Sequence, residues 1–169
     1  MSTTSPIASA VERLVAGVSL SEAETREAVA AMLDGEAPEA ATAAFLTALR
    51  IKGETGDELL GAVAAIRDRM TTFESGRSDC LDTCGTGGDG ARSVNISTGA
   101  AVVVASCGVP VVKHGNRAAS GRSGSSDVLR ALGVAVEAEP AGLRRGLTDL
   151  GIAFLFAPHY HGAMRHVGP

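Results

Sequence analysis

From residue 80 onward the chain alternates short β-prone runs with helix-like runs, and that alternation leaves few architectures open. Residues 80–82, 109–113, 134–136 and 152–156 have the composition of strands. Between them, 98–107, 126–132 and 140–150 carry helical patterns, and 158–167 starts one more. Strands separated by a helix cannot form tight hairpins. The helix must carry the chain back across the sheet face, which gives a parallel sheet with right-handed crossovers. The pattern predicts an α/β fold: a small N-terminal helical domain at 1–75, then a mostly parallel sheet flanked by helices at 76–169.

The first part predicts helices only, near 5–16, 22–34, 38–52 and 56–72. Ser21-Glu22-Ala23-Glu24 and Thr55-Gly56-Asp57-Glu58 fit capping boxes. Pro38 stands where a first helical residue would, and Gly53 suits a helix end. Ala41, Phe45 and Leu49 recur at helical spacing, as do Leu59, Val63, Ile66 and Met70, while Ile7, Val11, Leu14 and Val15 mark a shorter helix. Nothing here has a catalytic pattern. The part serves as a helical layer or as an oligomer interface. Residues 71–79 are polar and carry Gly76, so they form a connector.

Composition narrows the functional classes. Hydrophobic residues make up 45% and charged residues 20%, which is globular composition. Aromatics at 3% leave a core of Ala, Val, Leu and Ile. A net charge of −4 argues against a nucleic-acid partner. No apolar run approaches the roughly 18 residues of a membrane span, and the start lacks a signal pattern. The cysteines are Cys80, Cys84 and Cys107, with no C-x-x-C pair, so neither disulfides nor a zinc site is expected. The expectation is a cytoplasmic protein.

The glycines cluster at Cys84-Gly85-Thr86-Gly87-Gly88-Asp89-Gly90, just after a strand run. Glycine there lets main-chain N–H groups face a ligand. Gly85, Gly87 and Gly90 spell G-x-G-x-x-G, but the dinucleotide fingerprint also needs an immediate helix and an acid about 20 residues on. The helix opens only near Ser97, and no acid stands near Pro110. A P-loop fails because no Gly-Lys-Ser/Thr follows. Ser97 or Thr98 is expected to cap that helix, whose N-terminus would join the turn as one anion cradle. Asp89 suits ligand hydroxyls or a cation. Taken alone, the turn is also compatible with an ordinary tight turn and a capping Asp.

A second loop follows the 109–113 strand: Lys113-His114-Gly115-Asn116-Arg117-Ala118-Ala119-Ser120-Gly121-Arg122-Ser123-Gly124-Ser125-Ser126-Asp127. Ligands of open parallel sheets bind beyond the carboxyl ends of strands, where both loops fall. Lys113 and Arg117 can neutralise phosphates, as a point charge and a fork. Asn116 offers donors and acceptors to a substrate edge. Ser125 and Ser126 are expected to cap the next helix and offer another anion site. His159-Tyr160-His161 has a spacing that can bind metal, but no third ligand is evident, so pocket walls or surface positions are the better reading.

Together these stretches closely resemble anthranilate phosphoribosyltransferases. The likeness rests on 82–89, on Asn95-Ile96-Ser97-Thr98, and on Lys113-His114-Gly115-Asn116-Arg117 through Ser125-Ser126-Asp127. Pyrimidine nucleoside phosphorylases share the architecture and the glycine-rich turn, but lack Lys-His-Gly-Asn-Arg. The resemblance implies transfer of the 5-phosphoribosyl group from phosphoribosyl pyrophosphate to anthranilate, with release of pyrophosphate, in tryptophan biosynthesis. It implies phosphoribosyl pyrophosphate contacts at Gly85, Gly88, Asp89, Ser93, Asn95, Ile96, Ser97, Thr98, Lys113, His114, Gly115, Asn116, Arg117, Ala118, Ala119, Ser120, Gly121 and Ser125. Anthranilate would meet Gly85, Asn116, Pro158, His161 and Met164. Mg²⁺ would be the cofactor, touching Ser97, and a homodimer would form through the helical domain. No residue is assigned as general acid or base.

The family runs to roughly twice this length, in line with two full units. An arginine for the anthranilate carboxylate and a later Asp-Glu pair for Mg²⁺ would lie past Pro169. The expectation is therefore a fragment with an incomplete sheet, active when complete. The alternatives are a nucleoside phosphorylase, or an inactive fragment that binds ligand or dimerises.

Overall fold

The computed structural model describes residues 5–83, 85, 94–118 and 123–167. In chain order the elements are α1 (Pro6–Val15), α2 (Glu22–Leu33), α3 (Glu39–Lys52), α4 (Gly56–Arg67), α5 (Ile96–Ser106), β1 (Val111–Gly115), α6 (Ser125–Ala131), α7 (Pro140–Leu150), β2 (Ile152–Phe156) and α8 (Ala157–Tyr160), then a 3₁₀ turn at Gly162–His166. They fall into two compact units. One comprises residues 1–71 with 161–169, the other residues 72–160.

The helical unit forms where its local signals put it. Both capping boxes are present: the Ser21 N–H donates to Glu24 Oε2 at 2.8 Å, and the Thr55 N–H donates to Glu58 Oε2 at 2.8 Å. Gly53 ends α3 at φ +87°, a conformation other residues resist. Pro38 precedes α3 rather than opening it. Helix α4 stops at Arg67, five residues short of the expected 72, and Arg26 draws the Asp68 cap into a 2.6 Å ion pair. Ile7, Leu14, Met32, Leu33 and Phe45 form the core.

The apolar spacing on α4 does not say which face is inside. Helix α4 buries Glu58, Gly61 and Ala65, whereas Leu59, Leu60 and Val63 are exposed. The reason is a close helix crossing. A Cβ on Gly61 would lie 2.3 Å from the Glu22 carbonyl oxygen and 2.9 Å from Thr25 Cβ. Thr25, Ala28 and Ala65 are all fully buried beside it. Small residues let α2 and α4 approach, and larger ones would hold them apart.

Glu58 is the charged centre of this unit. It is 1% exposed and accepts from the Leu20 N–H at 3.0 Å, the Thr55 N–H at 2.8 Å and Lys52 Nζ at 2.9 Å. Burial pushes its carboxyl upward, but the Leu20 amide, the Lys52 ammonium and Thr55 outweigh this and hold it at about 2.

The second unit has a two-stranded parallel sheet, with Val111 opposite Ile152 and Gly115 opposite Phe156. The expected strand at 80–82 is reduced to one parallel bridge from Leu81 to Val111. The Leu81 N–H donates to the Pro110 carbonyl at 2.8 Å and the Val112 N–H to the Leu81 carbonyl at 2.9 Å. Strand β1 starts at Val111 rather than 109, because Pro110 has no N–H to give a ladder. The expected strand at 134–136 does not form. Gly133, at φ +82°, turns the end of α6, and the Val134 N–H is taken by the Leu129 carbonyl at 2.9 Å. Helix α7 and strand β2 occupy the spans their sequence predicts. Leu143 and Leu147 of α7 pack with Ala153, Leu155 and Tyr160, alongside Val112.

The expected last helix, 158–167, divides. Residues 157–160 form short α8, the helical conformation breaks at His161, and the 3₁₀ turn belongs to the helical unit. There Ala163 and Val167 pack on the helical core, and the His166 ring lies against Gly35. Among the described residues, no helix is long and apolar enough to cross a membrane.

Two outcomes are expected. Gly61→Ala should destabilise the chain by about 1–3 kcal/mol in urea unfolding, because the added methyl meets backbone. Glu58 is charged in the fold down to about pH 2 but protonates near 4.5 when unfolded. Its stabilisation is therefore full above pH 4.5 and lost as pH falls toward 2, a swing of about 3 kcal/mol. Glu58→Gln should flatten that part of the stability–pH curve.

Candidate functional site

Strand β1 positions the site. Side chains alternate along it, so Val111 and Lys113 face away from the side on which Val112 joins the α7 core. Lys113 is 1% exposed. Its ammonium donates to the Thr83 carbonyl at 2.7 Å, and Thr83 Oγ1 donates to the Ser97 carbonyl at 2.7 Å. These two bonds join β1, the residue leading into the glycine-rich turn, and the first turn of α5. Gly85 fits against them: a Cβ there would lie 2.9 Å from Ser97 Oγ. The expectation gave Lys113 to a phosphate as a point charge. In the structure its ammonium lies inside and holds main chain, as a buried cation must find an acceptor.

Helix α5 opens at Ile96, two residues before the expected 98. Asn95 is its N-cap, and neither Ser97 nor Thr98 caps it. The Ile96 N–H donates to the Val94 carbonyl at 2.7 Å, a tight turn that makes Asn95 the helix boundary. Ser97 is half-buried, Thr98 is buried and Ile96 is exposed. Gly88, Asp89, Ser93, Ala119, Ser120 and Gly121 lie outside the described residues.

Beyond β1 the chain folds back on itself. The Asn116 N–H donates to Ser125 Oγ at 3.1 Å, and the Ser126 N–H donates to the Asn116 carbonyl at 3.1 Å. Asp127 Oδ2 accepts from the Gly124 N–H at 2.7 Å and the Ala118 N–H at 3.1 Å. Those two amides hold its carboxyl below the usual carboxylate range, burial opposes them, and Arg117 and Arg130 assist. Ser125 and Ser126 do not cap α6. Gly124 is the N-cap, and Asp127 already occupies this short helix's first turn. Asp127 directly follows Ser125-Ser126, and the motif by itself assigns it no role. Its position three residues after Gly124 is the signal that could have revealed one.

Other expected residues fall as follows. His114 stands edge-on to the Tyr160 ring at 6.0 Å, with Nδ1 3.9 Å from Asp82 Oδ2. Arg117 lies 5.5 Å over the Phe156 ring and 3.8 Å from Glu137. A Cβ on Gly115 would lie 2.7 Å from Ser125 Oγ. Pro158 is exposed on α8. His161 and Met164 belong to the helical unit. Among the described residues, no three His, Cys, Asp or Glu side chains are grouped to hold a metal.

A helical bundle followed by an α/β unit, with polar loops at the strand ends, defines a class. Residues 8–70 match the glycosyl transferase family helical bundle domain and residues 77–169 match the glycosyl transferase family a/b domain. The chain belongs to this glycosyl transferase family. Within it, the similarity is to anthranilate phosphoribosyltransferases. The enzyme of that name from Geobacillus stearothermophilus is 53% identical over 154 residues, covering 90% of this chain and 45% of that protein. The one from Moorella thermoacetica is 51% identical, covering 94% of this chain and 47% of that protein. The crystal structure of the Thermus thermophilus enzyme is similar at TM-score 0.84 and 44% identity, over 94% of this chain and 48% of that one. The Saccharomyces cerevisiae enzyme in complex with PRPP and Mg is similar at TM-score 0.85 and 26% identity, over 98% of this chain and 50% of that one. The chain thus spans about half the length of the relatives it matches.

Thr83→Val keeps the side chain's shape and removes the hydroxyl that serves Ser97. The expected loss is about 1 kcal/mol of stability, with faster amide exchange in the first turn of α5. Unchanged exchange there would show that the Thr83 bond does not hold the helix start.

Proposed function

We propose that this chain supplies the phosphoribosyl pyrophosphate site of an anthranilate phosphoribosyltransferase. The reaction would move the 5-phosphoribosyl group from phosphoribosyl pyrophosphate to the amine of anthranilate. The ribose C1–O bond to pyrophosphate breaks, a C1–N bond forms, and the amine releases a proton. The observation that carries this reading is the Lys113–Thr83–Ser97 linkage, which ties the foot of the glycine-rich turn to the strand whose end carries Gly115–Ala118. The two loops of the sequence motif are thereby parts of one structure. The similarity to anthranilate phosphoribosyltransferases over nine-tenths of the chain supports the choice of substrates.

In this reading Gly85, Asn95, Ile96, Ser97, Thr98 and Lys113 through Ala118, with Ser125, hold phosphoribosyl pyrophosphate. Gly88, Asp89, Ser93, Ala119, Ser120 and Gly121 would complete the contact. Main-chain N–H groups and the Arg117 fork suit the phosphates, and Gly85 and Asn116 would also meet anthranilate. Pro158, His161 and Met164 are proposed as walls of its route. Pyrophosphate is a stable leaving group, so the residues act by orientation and charge stabilisation, and no general base is assigned.

Mg²⁺ fits as a companion of the substrate. It favours phosphate and water oxygens, with few protein ligands. The half-buried Ser97 hydroxyl, at the opening of α5, is the oxygen these residues would add. Bound there, Mg²⁺ would neutralise charge on the departing pyrophosphate. We also propose a homodimer through the helical domain, 1–75, because Leu46, Leu59, Leu60 and Val63 expose apolar surface there. The α/β domain is proposed at 76–169.

Calorimetry of the chain with Mg²⁺ and phosphoribosyl pyrophosphate should show saturable binding, and Lys113→Ala should weaken it by about tenfold or more. A full-length enzyme containing this sequence should consume anthranilate fluorescence. Absence of both binding and turnover would overturn the reading. Binding that Lys113→Ala leaves unchanged would remove Lys113 from it.

A further inference from the structure

The loop after β1 has a narrow neck, and one acidic side chain closes it. On one side run Asn116, Arg117 and Ala118; on the other run Gly124, Ser125 and Ser126. The two strands of the neck touch so closely that a Cβ on Gly124 would lie 2.4 Å from the Ala118 nitrogen, the Arg117 carbonyl carbon and the Asn116 oxygen. No side chain fits between them, and all three neighbours are backbone, which cannot swing away. Asp127 reaches across this crossing with a single oxygen, Oδ2, that accepts an N–H from each side.

An acid is an unexpected choice beside a site meant for phosphates, since like charges repel. Capping α6 explains only half of its bonds. The Gly124 N–H bond is an ordinary first-turn contact, but the Ala118 N–H lies nine residues before Asp127 and belongs to the opposite side of the loop. A carboxylate oxygen is a strong acceptor for two converging amides, because charge-assisted hydrogen bonds are shorter and stronger than neutral ones. Arg117 and Arg130 lie close enough to offset its charge.

We propose that Asp127 is a positioning residue for the phosphoribosyl pyrophosphate site: its Oδ2 fastens the neck of the loop, so that Asn116, Arg117 and Ala118 are held in register with Ser125. This rests on the reading under Proposed function for what the loop binds. Gly124 is the partner of the device, since the crossing can be fastened only where no Cβ intervenes. Because one oxygen makes both bonds, an amide oxygen in its place can make them too.

The test uses the 169-residue chain and its Asp127→Asn, Asp127→Ala and Asp127→Glu variants. Two quantities are read: the Kd for phosphoribosyl pyrophosphate with Mg²⁺ by calorimetry, and amide exchange at Ala118 and Gly124. Asp127→Ala should weaken binding by about tenfold or more and speed exchange at both amides. Asp127→Asn should keep both amides protected and bind within about threefold of the unaltered chain. Asp127→Glu keeps the charge but displaces the oxygen, and should weaken binding as Asp127→Ala does; it carries the test if Asp127→Ala does not fold. Unaltered affinity in Asp127→Glu or Asp127→Ala would overturn the proposal. So would an Asp127→Asn that loses affinity with both amides protected, since charge rather than fastening would then be at work. If the unaltered chain fails to bind and the full-length enzyme fails to turn over, the phosphoribosyl reading falls and takes the proposed role with it, while the exchange data still decide whether Asp127 fastens the neck.

Discussion

The α/β unit is organised by the pairing of β1. Its Val111 takes the Leu81 bridge on one edge and Ile152 of β2 on the other. Parallel pairing leaves the strand ends pointing the same way, so whatever follows β1 emerges at one edge of the sheet. Lys113 then turns a side chain of the same strand inward and holds the Thr83 carbonyl. A buried ammonium demands an acceptor, and main chain beside the glycine-rich turn provides it. The energetic need of one cation thus fixes the relation between two loops that are thirty residues apart.

The loop beyond β1 applies the same economy of means on a smaller scale. Gly115 and Gly124 remove Cβ atoms where backbone or Ser125 approaches. Asn116, Ser125 and Asp127 then supply the hydrogen bonds that the crowded backbone amides require. The helical unit depends on a different contact. Glu58, Lys52 and the Leu20 amide bind the start of α4 to the end of α3 and the α1–α2 connection. Such a buried pair is strongly destabilising to break, because the remaining charge would have no partner.

Much of this was legible in the sequence, and the reason differs from place to place. Ser21 and Thr55, each three residues before a Glu, marked helix starts because capping is a local interaction. Gly53 ended α3 and Pro140 opened α7 for equally local reasons. Helical spacing at Leu59 and Val63 did not say which face is inside, and the Gly61–Thr25 crossing decided it. Two expectations failed where other parts of the chain intervened. Residues 134–136 had strand composition, but the turn at Gly133 claimed the Val134 amide. Ser125 looked like a helix cap, but it serves Asn116, and Asp127 takes the helix start.

The sequence by itself determined the class of fold and the family, because periodicity, caps and contiguous motifs are written within short stretches of chain. Only the tertiary structure decided that Lys113 is buried against Thr83, that the 3₁₀ turn rejoins the helical unit, and that Asp127 spans the loop neck. Each of these depends on which backbone groups meet across space, and on the requirement that a buried charge or amide find a partner there.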